Sequence, residues 1–599
     1  LPNIVWRALW GLGARDQTPF LHHWVNVLLH GVNGALVCVL AFALTKRRGV
    51  AWIAGAAFTA SAIVTEAVSG VVGIADVLGA TGTLLALLAL TCRLPWMALG
   101  VFFGTLFGLY SKESALCCVP LVPLGALLLA PLTHPDKPRR WLRAVVAFVA
   151  AAGAFVLYVE ARRRMFPAPL PSELSVEATA GKGLPARIFA AILRWYAQPT
   201  LPKDPLNNPL VNADAMHRVG GALRVWWRGL VQVFFPYTLS GDYSAPQEPV
   251  PTSMLTPAIV LGAIAMIVPF PLAAWLGIRS WLRWRKRRVV PTMSEGPLGA
   301  SSSEPPPAGA ASQELVGSPS PLPTDPSLIV AFAGLWVVLS FFPVSNIPVL
   351  LPTVRAERFW YFPVIGTSLL VGVLFGWLVD RVRVLRYGPT PKYDFELNEF
   401  GELVPKALEP RRAGVIARRL LVAGVTLFFV VQAIAARNHA NDYTDDLAFW
   451  DATRKAVPRS AKAHLNYSVM KGARGDLEER LAANGKALEL APQWPMASVY
   501  YGDTLCRLHR APEAWPHYAR GFELAPNDVN LIALGVQCLW DERLLTEGSN
   551  VRTELDALKD KHPGSWLDFI AKDVFEHGEE HNGVDPKYRP RGYNEGPKD

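Results

Sequence analysis

The sequence predicts an all-α protein in two parts: a multi-span helical membrane domain over 1–436 and a soluble helical solenoid over 437–585, with 586–599 as a tail. Three observations predict it. Long apolar stretches recur through the first part, basic clusters punctuate them, and a 34-residue period sets in once the composition turns polar after 436. With 51% hydrophobic and only 18% charged residues in 599, the chain holds more apolar sequence than one soluble core would bury.

The apolar stretches run at about 20–44, 50–64, 77–92, 95–110, 115–130, 141–159, 254–278, 328–343, 359–379 and 419–436. A helix needs roughly 20 apolar residues to cross a bilayer, so the shorter ones rely on tilt or on semi-polar flanks. Orientation follows from Lys46-Arg47-Arg48, Lys137 to Arg143, Arg279 to Arg288, Arg381 to Arg386 and Arg411 to Arg419, because basic clusters beside spans stay cytoplasmic. Ten spans threaded through those anchors place 1–20, 65–76, 111–114, 160–253, 344–358 and everything after 437 outside; Arg162-Arg163-Arg164 breaks the rule locally. The expected location is an inner bacterial or endoplasmic-reticulum membrane, with the C-terminal domain extracytoplasmic. The net charge of +10 is then a topology signal. No nucleic-acid partner is expected, since the basic runs are juxtamembrane and lack interleaved base-stacking aromatics. A chain starting outside at Leu1 without a signal sequence reads as a fragment that has lost an upstream span.

Residues 289–326, rich in Ser, Pro and Ala, read as a disordered cytoplasmic loop, and 387–417 as a second, more charged one. The long outer segment 160–253 carries Trp195, Tyr196, Trp226, Trp227, Phe234, Phe235 and Tyr237, an aromatic density suited to helices lying along the outer leaflet. Within it, 222–236 is apolar enough to resemble a span, but a crossing there would invert every later basic cluster. Cys38, Cys92, Cys117 and Cys118 fall in spans as small apolar residues. The spacing of Cys506 and Cys538 suits neighbouring helices where oxidation is permitted, yet the simpler expectation leaves them unpaired.

In the tail, Glu489-Leu490-Ala491-Pro492 recurs 34 residues later as Glu523-Leu524-Ala525-Pro526, and Pro458 lies 34 residues before Pro492. That period, closed by an acidic-Leu-x-Pro turn, is the tetratricopeptide signature. It divides the tail into repeats 459–492 and 493–526 and a degenerate 527–560, with Gly475-Asp476 as a turn. Gly502, Ala514 and Tyr518 fall where the paired helices of one repeat touch.

Three polar islands interrupt the apolar run: Thr65-Glu66 with Asp76, Ser111-Lys112-Glu113, and Arg355-Ala356-Glu357-Arg358 before Phe359-Trp360-Tyr361. Ionisable residues at a membrane edge mark functional sites by default. Glu66 and Asp76, ten residues apart across a turn-like segment, are the candidate catalytic carboxylates and the candidate ligands of a divalent cation; the plainer reading makes each a helix N-terminal residue. Lys112 is a candidate phosphate ligand, or one half of an interfacial ion pair with Glu113. Arg355 and Arg358, three apart, suit two guanidinium groups on one helical face gripping a phosphate, with Glu357 orienting one of them; snorkelling is the alternative.

Taken in order, these segments resemble a known family. Phe20-Leu21-His22-His23-Trp24-Val25-Asn26-Val27-Leu28-Leu29-His30 looks like its HxxNxxxH opening. Thr65-Glu66-Ala67-Val68, Ala75-Asp76, Ser111-Lys112-Glu113, Leu239-Ser240-Gly241-Asp242-Tyr243-Ser244, Pro343-Val344-Ser345-Asn346, Ala356-Glu357-Arg358 with Tyr361, Pro363 and Gly366, and Ala436-Arg437-Asn438 follow before the repeats. The set is similar to the transmembrane and tetratricopeptide repeat-containing (TMTC-like) proteins of the GT-C glycosyltransferase superfamily, close to protein O-mannosyltransferases. The resemblance implies inverting transfer of a sugar from a polyprenyl-phosphate donor to a protein hydroxyl at the outer face, with Lys112, Arg355 and Arg358 on the donor phosphate. It also implies an acidic residue of the first outer loop, near the first span, as the catalytic base. That stretch is absent here, and Asp16 is the only carboxylate left before the second family span. The family's His-Pro-x-His-Thr-Glu reads Ser61-Ala62-Ile63-Val64-Thr65-Glu66, and its Gly-Arg-Ala-Asp reads Gly73-Ile74-Ala75-Asp76. The expected partners are membrane lipid and an acceptor protein presented by the repeats. The alternative is a non-catalytic membrane scaffold whose repeats bind partner proteins; a transporter fits less well, because the apolar helices show no internal symmetry.

Overall fold

The computed structural model describes residues 1–13, 19–134, 139–165, 167, 169–289, 326–388, 395–397, 403–405 and 410–589. The loop expected to be disordered and Asp16 both lie outside the described residues. The described chain is almost wholly helical. Its β structure is one antiparallel pair, Phe395–Leu397 against Leu403–Pro405.

The helices run α1 (Pro2–Gly11), α2 (Phe20–Thr45), α3 (Arg48–Ala60), α4 (Thr65–Ser69), α5 (Ile74–Ala89), α6 (Leu94–Ser111), α7 (Cys118–Thr133), α8 (Arg140–Met165), α9 (Val176–Ala180) and α10 (Leu184–Trp195). They continue with α11 (Ala215–Phe234), α12 (Pro257–Ile267), α13 (Pro269–Val289), α14 (Pro326–Phe341), α15 (Tyr361–Tyr387), α16 (Arg412–Asn441) and α17 (Asp446–Ala456). The tail holds α18 (Ala461–Gly472), α19 (Leu477–Leu490), α20 (Pro495–Arg507), α21 (Ala511–Leu524), α22 (Val529–Asp541), α23 (Asn550–Asp560) and α24 (Trp566–His581). Among the described residues nine helical segments are long and apolar enough to cross a membrane, or ten if α3 and the bent continuation Ala62–Ser69 count as one span. They fall in order on the ten apolar stretches of the sequence. The apolar-looking 222–236 is absent from that set: it lies in α11, which carries Arg218, Arg224 and Arg228.

Two compact units divide the chain. The first comprises Leu1–Thr200, Ala263–Pro343 and Trp360–Ile434; the second comprises Leu201–Gly262, Val344–Phe359 and Ala435–Asp599. The division departs from a single boundary at 436, because two loop segments earlier in the chain fold with the tail.

In the first unit α2 packs on α3 and α5, α5 on α6, α7 on α8, and α14 on α15. A Cβ on Gly82 would stand 2.5 Å from the Gly108 backbone nitrogen, and one on Gly104 2.7 Å from that of Ala86. Only glycine allows α5 and α6 to meet backbone to backbone, the usual way apolar helices gain packing where water offers no drive. Trp360 and Tyr361, which follow the third polar island, are buried. Trp360 lies against Phe341 at 4.9 Å, and Tyr361 joins a polar core cluster with α2.

In the second unit the stretches 459–492, 493–526 and 527–560 each hold two helices, α18–α19, α20–α21 and α22–α23. Asp476 caps α19 through the Glu479 amide, and Gly475 before it takes a positive φ of 80°. A Cβ on Gly502 would lie 3.2 Å from the Ala514 carbonyl and from the Tyr518 ring, so these three residues do mark the α20–α21 contact. Cys506 and Cys538, with Cα atoms 6.4 Å apart, form a disulfide between α20 and α22, against the simpler expectation of free thiols. Two loop motifs are tied in the same unit. Asp242 accepts from the Ser244 amide and from the Ser460 hydroxyl, each at 3.0 Å, and pairs with Lys462 at 3.3 Å, which fastens it to the start of α18. Asn346 accepts from Asn208 at 2.9 Å and from the Leu351 amide at 2.8 Å, closing the 346–354 loop on itself.

Candidate functional site

The candidate residues fall into two clusters, one in each unit. In the first unit α6 ends at Ser111, Lys112 is extended, and a short 3-10 helix, Glu113–Cys117, leads into α7. Lys112 Nζ lies 3.1 Å from Asp76 Oδ2 in the first turn of α5. The carboxylate is 2% exposed and the lysine side chain 28% exposed, so a sunken anion holds an ammonium that still reaches solvent. Glu66 is buried in α4.

The expected alternative pairing of Lys112 with Glu113 is not the one observed. Glu113 pairs with Arg162, which also donates to the hydroxyls of Tyr158 and Tyr196 at 3.1 and 3.2 Å. Burial, and then the nearby Glu113 charge, pushes the Tyr196 phenol up, which keeps it a neutral partner for the guanidinium. Arg164 bonds Glu160 one turn back. Both pairings hold basic side chains at the end of α8.

Asn26 and His30 of the HxxNxxxH opening, with the nearby Asn33, make structural contacts in this unit. Asn26 donates to the Gly70 carbonyl at 3.0 Å, steadying the segment between Glu66 and Asp76. His30 Nδ1 lies 2.9 Å from the Tyr361 hydroxyl, and Asn33 reaches that hydroxyl and the Val77 carbonyl. Buried polar groups need such partners, and these keep α2 and α5 in register with α15.

Asp76 already faces an ammonium, which repels a second cation, and among the described residues no group of three or more His, Cys, Asp or Glu side chains gathers around one point.

The second unit places Arg355 and Arg358 differently from expectation. Arg355 precedes the short helix Glu357–Trp360, so the two guanidinium groups do not share a helical face. Arg355 is buried, bonded to Glu248 at 2.9 Å and to Gln232, and stacked over the Tyr243 ring at 4.0 Å. Its planar fork is occupied by the protein itself, and this corrects its expected role on a ligand phosphate. Arg358 is half-buried, 5.7 Å from the Phe359 ring.

Around Arg355 lies a network that the sequence did not announce. Glu248, 1% exposed, receives Arg355, Arg228 at 2.5 Å and, more distantly, Arg224 at 3.6 Å. Burial pushes its carboxyl up, but the guanidinium charges of Arg355, Arg228 and Arg224 outweigh that and hold it below the ordinary glutamate value. Glu357 accepts from the Ser240 amide at 2.7 Å and the Tyr243 hydroxyl at 2.5 Å, while His439 stands 3.1 Å away on its other oxygen. The far ring nitrogen of His439 meets Asp442 at 2.8 Å. Burial, reinforced by Glu357, pushes the Tyr243 phenol well up, so it remains a donor. Glu357 thereby fastens the Ser240–Tyr243 loop. The only advance signal was the four-residue spacing of Arg224 and Arg228 on one face of α11. No protein-family model, no curated protein and no solved structure matches this chain.

Proposed function

We propose that this protein is a membrane glycosyltransferase-like protein that takes a sugar from a polyprenyl-phosphate donor and transfers it to a protein hydroxyl at the extracytoplasmic face. The observation that carries the reading is the Asp76–Lys112 pair, in which a buried carboxylate presents a partly exposed ammonium at the ends of two apolar helices. An ammonium so held meets a phosphate as a point charge. Glu66 is, in this reading, the carboxylate that takes the proton from the acceptor hydroxyl. The bond broken joins the sugar's anomeric carbon to the donor phosphate, and the lipid phosphate leaves with both electrons. No step is routed through a metal.

The helix pairs of the tail are read as tetratricopeptide repeats that present the acceptor protein, on a GT-C-like membrane domain. The Cys506–Cys538 disulfide supports an oxidising, extracytoplasmic side for that tail. A second reading, a non-catalytic scaffold whose repeats bind partner proteins, is favoured by one observation: Arg355 and Glu357 are bonded internally.

The test is binding of a polyprenyl-phosphate analogue to the full chain in detergent. Lys112→Gln is expected to weaken it about tenfold or more, the weight of one charge-assisted contact. Equal binding by wild type and Lys112→Gln, at equal amounts of folded protein, moves the weight to the scaffold.

A further inference from the structure

A groove of about 460 Å³ runs between α15 and α16 inside the first unit, apart from every residue of the proposed donor site. Its wall on α15 is Phe375, Val379 and Val382, then Arg383 and Arg386; on α16 it is Arg418, then Leu421, Val422 and Val425. Steps of three and four residues put each set on one helical face. The apolar residues lie toward one end of the groove and the arginines toward the other. From Phe375 to Arg386 the helix rises about 16 Å, close to half the roughly 30 Å hydrocarbon thickness of a bilayer. The groove is thus one leaflet deep, with a cationic mouth.

The mouth is unbalanced. Asp380, the carboxylate nearest along α15, is held by both terminal nitrogens of Arg47, at 2.8 and 2.9 Å. Among the described residues no carboxylate pairs with Arg383, Arg386 or Arg418, and Arg386 Nε is buried with no hydrogen-bond partner. The apolar walls stay open because α16 is barely covered by the rest of the protein. A buried guanidinium nitrogen without an acceptor is costly, and an anionic group in the mouth would relieve it.

We propose that this groove binds an anionic phospholipid, its phosphate bridging Arg383, Arg386 and Arg418 and one acyl chain lying along Phe375, Val379, Leu421 and Val425. Charge complementarity selects the phosphate, and the leaflet-deep apolar wall selects a lipid over a soluble phosphate. Such basic mouths between spanning helices suit anionic headgroups.

Native mass spectrometry of the full chain, titrated with phosphatidylglycerol, phosphatidylcholine or glycerol 3-phosphate, tests this. Phosphatidylglycerol should bind about tenfold tighter than phosphatidylcholine, and the triple variant Arg383→Gln, Arg386→Gln, Arg418→Gln should abolish that preference. Arg418→Gln alone, at an exposed position, should reduce it about threefold even if the triple variant fails to fold, and Val422→Trp should weaken phosphatidylglycerol by filling the groove. Equal binding of the two lipids, or a preference unchanged in Arg418→Gln and Val422→Trp, overturns the proposal. Full competition by glycerol 3-phosphate overturns it too, and makes the mouth a site for soluble phosphate.

Discussion

Lys112 Nζ and Asp76 Oδ2 sit 3.1 Å apart, and the carboxylate is the buried member of the pair. An isolated surface pair of this kind would be worth little, because both partners would exchange freely with water. Here the anion has given up its water, so the ammonium is its main compensation and is fixed in place. Removing the lysine leaves an uncompensated buried charge. Asp76→Asn together with Lys112→Gln should therefore melt nearer the wild type than Lys112→Gln alone; thermal scans of the three proteins check this.

Gly502→Leu should crowd the Ala514 carbonyl and the Tyr518 ring, each 3.2 Å from where a Cβ would stand, and cost about 1–3 kcal/mol. A melting curve unchanged by the substitution would show that α20 and α21 do not rely on that approach.

The Cys506–Cys538 bond closes a loop with a separation of 32 residues. Chain-entropy reasoning puts its contribution at about 3–4 kcal/mol, an upper value where the unfolded tail keeps structure. Cys506→Ser or added reductant should lower the tail's unfolding temperature alike, and reductant should leave Cys506→Ser unaffected. Reductant-insensitive melting of the wild type would contradict the bond.

Much of this architecture could be read from the chain because its signals are local. Ten apolar stretches became nine or ten candidate spans among the described residues, and the 34-residue spacing of Pro492 and Pro526 fell on helix pairs. The Glu248 network could not be read. Arg355 meets Gln232, Tyr243 and Glu248 across more than a hundred residues of chain, and no periodicity connects them. Lys112 was legible as a charged residue at a helix end, but its partner was misread, because Glu113 is adjacent in sequence whereas Asp76 is adjacent in space.

Acid should loosen the second unit through Glu248. Its folded pKa lies below the ordinary value of 4.5, so its contribution is complete above the unfolded pKa and is lost as pH falls through the lower folded one. Glu248→Gln should cost about 3–5 kcal/mol at pH 7, by leaving Arg355 unpaired in a buried site, and should flatten the loss below pH 4.5. Melting temperatures of both proteins across pH 3–7 give the comparison; parallel curves would remove Glu248 from the account.

Arg358 and Arg355 should separate cleanly. Arg358→Lys keeps the charge but loses the planar fork, so binding of a polyprenyl-phosphate analogue should weaken, and Arg358→Ala should weaken it further. Arg355→Ala should instead lower the melting temperature. Equal donor binding by wild type and Arg358→Ala would remove Arg358 from donor recognition.

The central claim is sugar transfer, and it is tested most directly by reconstituting the full chain in vesicles with a radiolabelled polyprenyl-phosphate sugar and a pool of Ser- and Thr-containing acceptor proteins. Wild type should move label into protein in a form released by β-elimination, and Glu66→Gln, folded and inserted equally well, should not. Label incorporation no greater than in protein-free vesicles, together with donor binding that ignores Lys112→Gln, would contradict the enzyme and leave the scaffold.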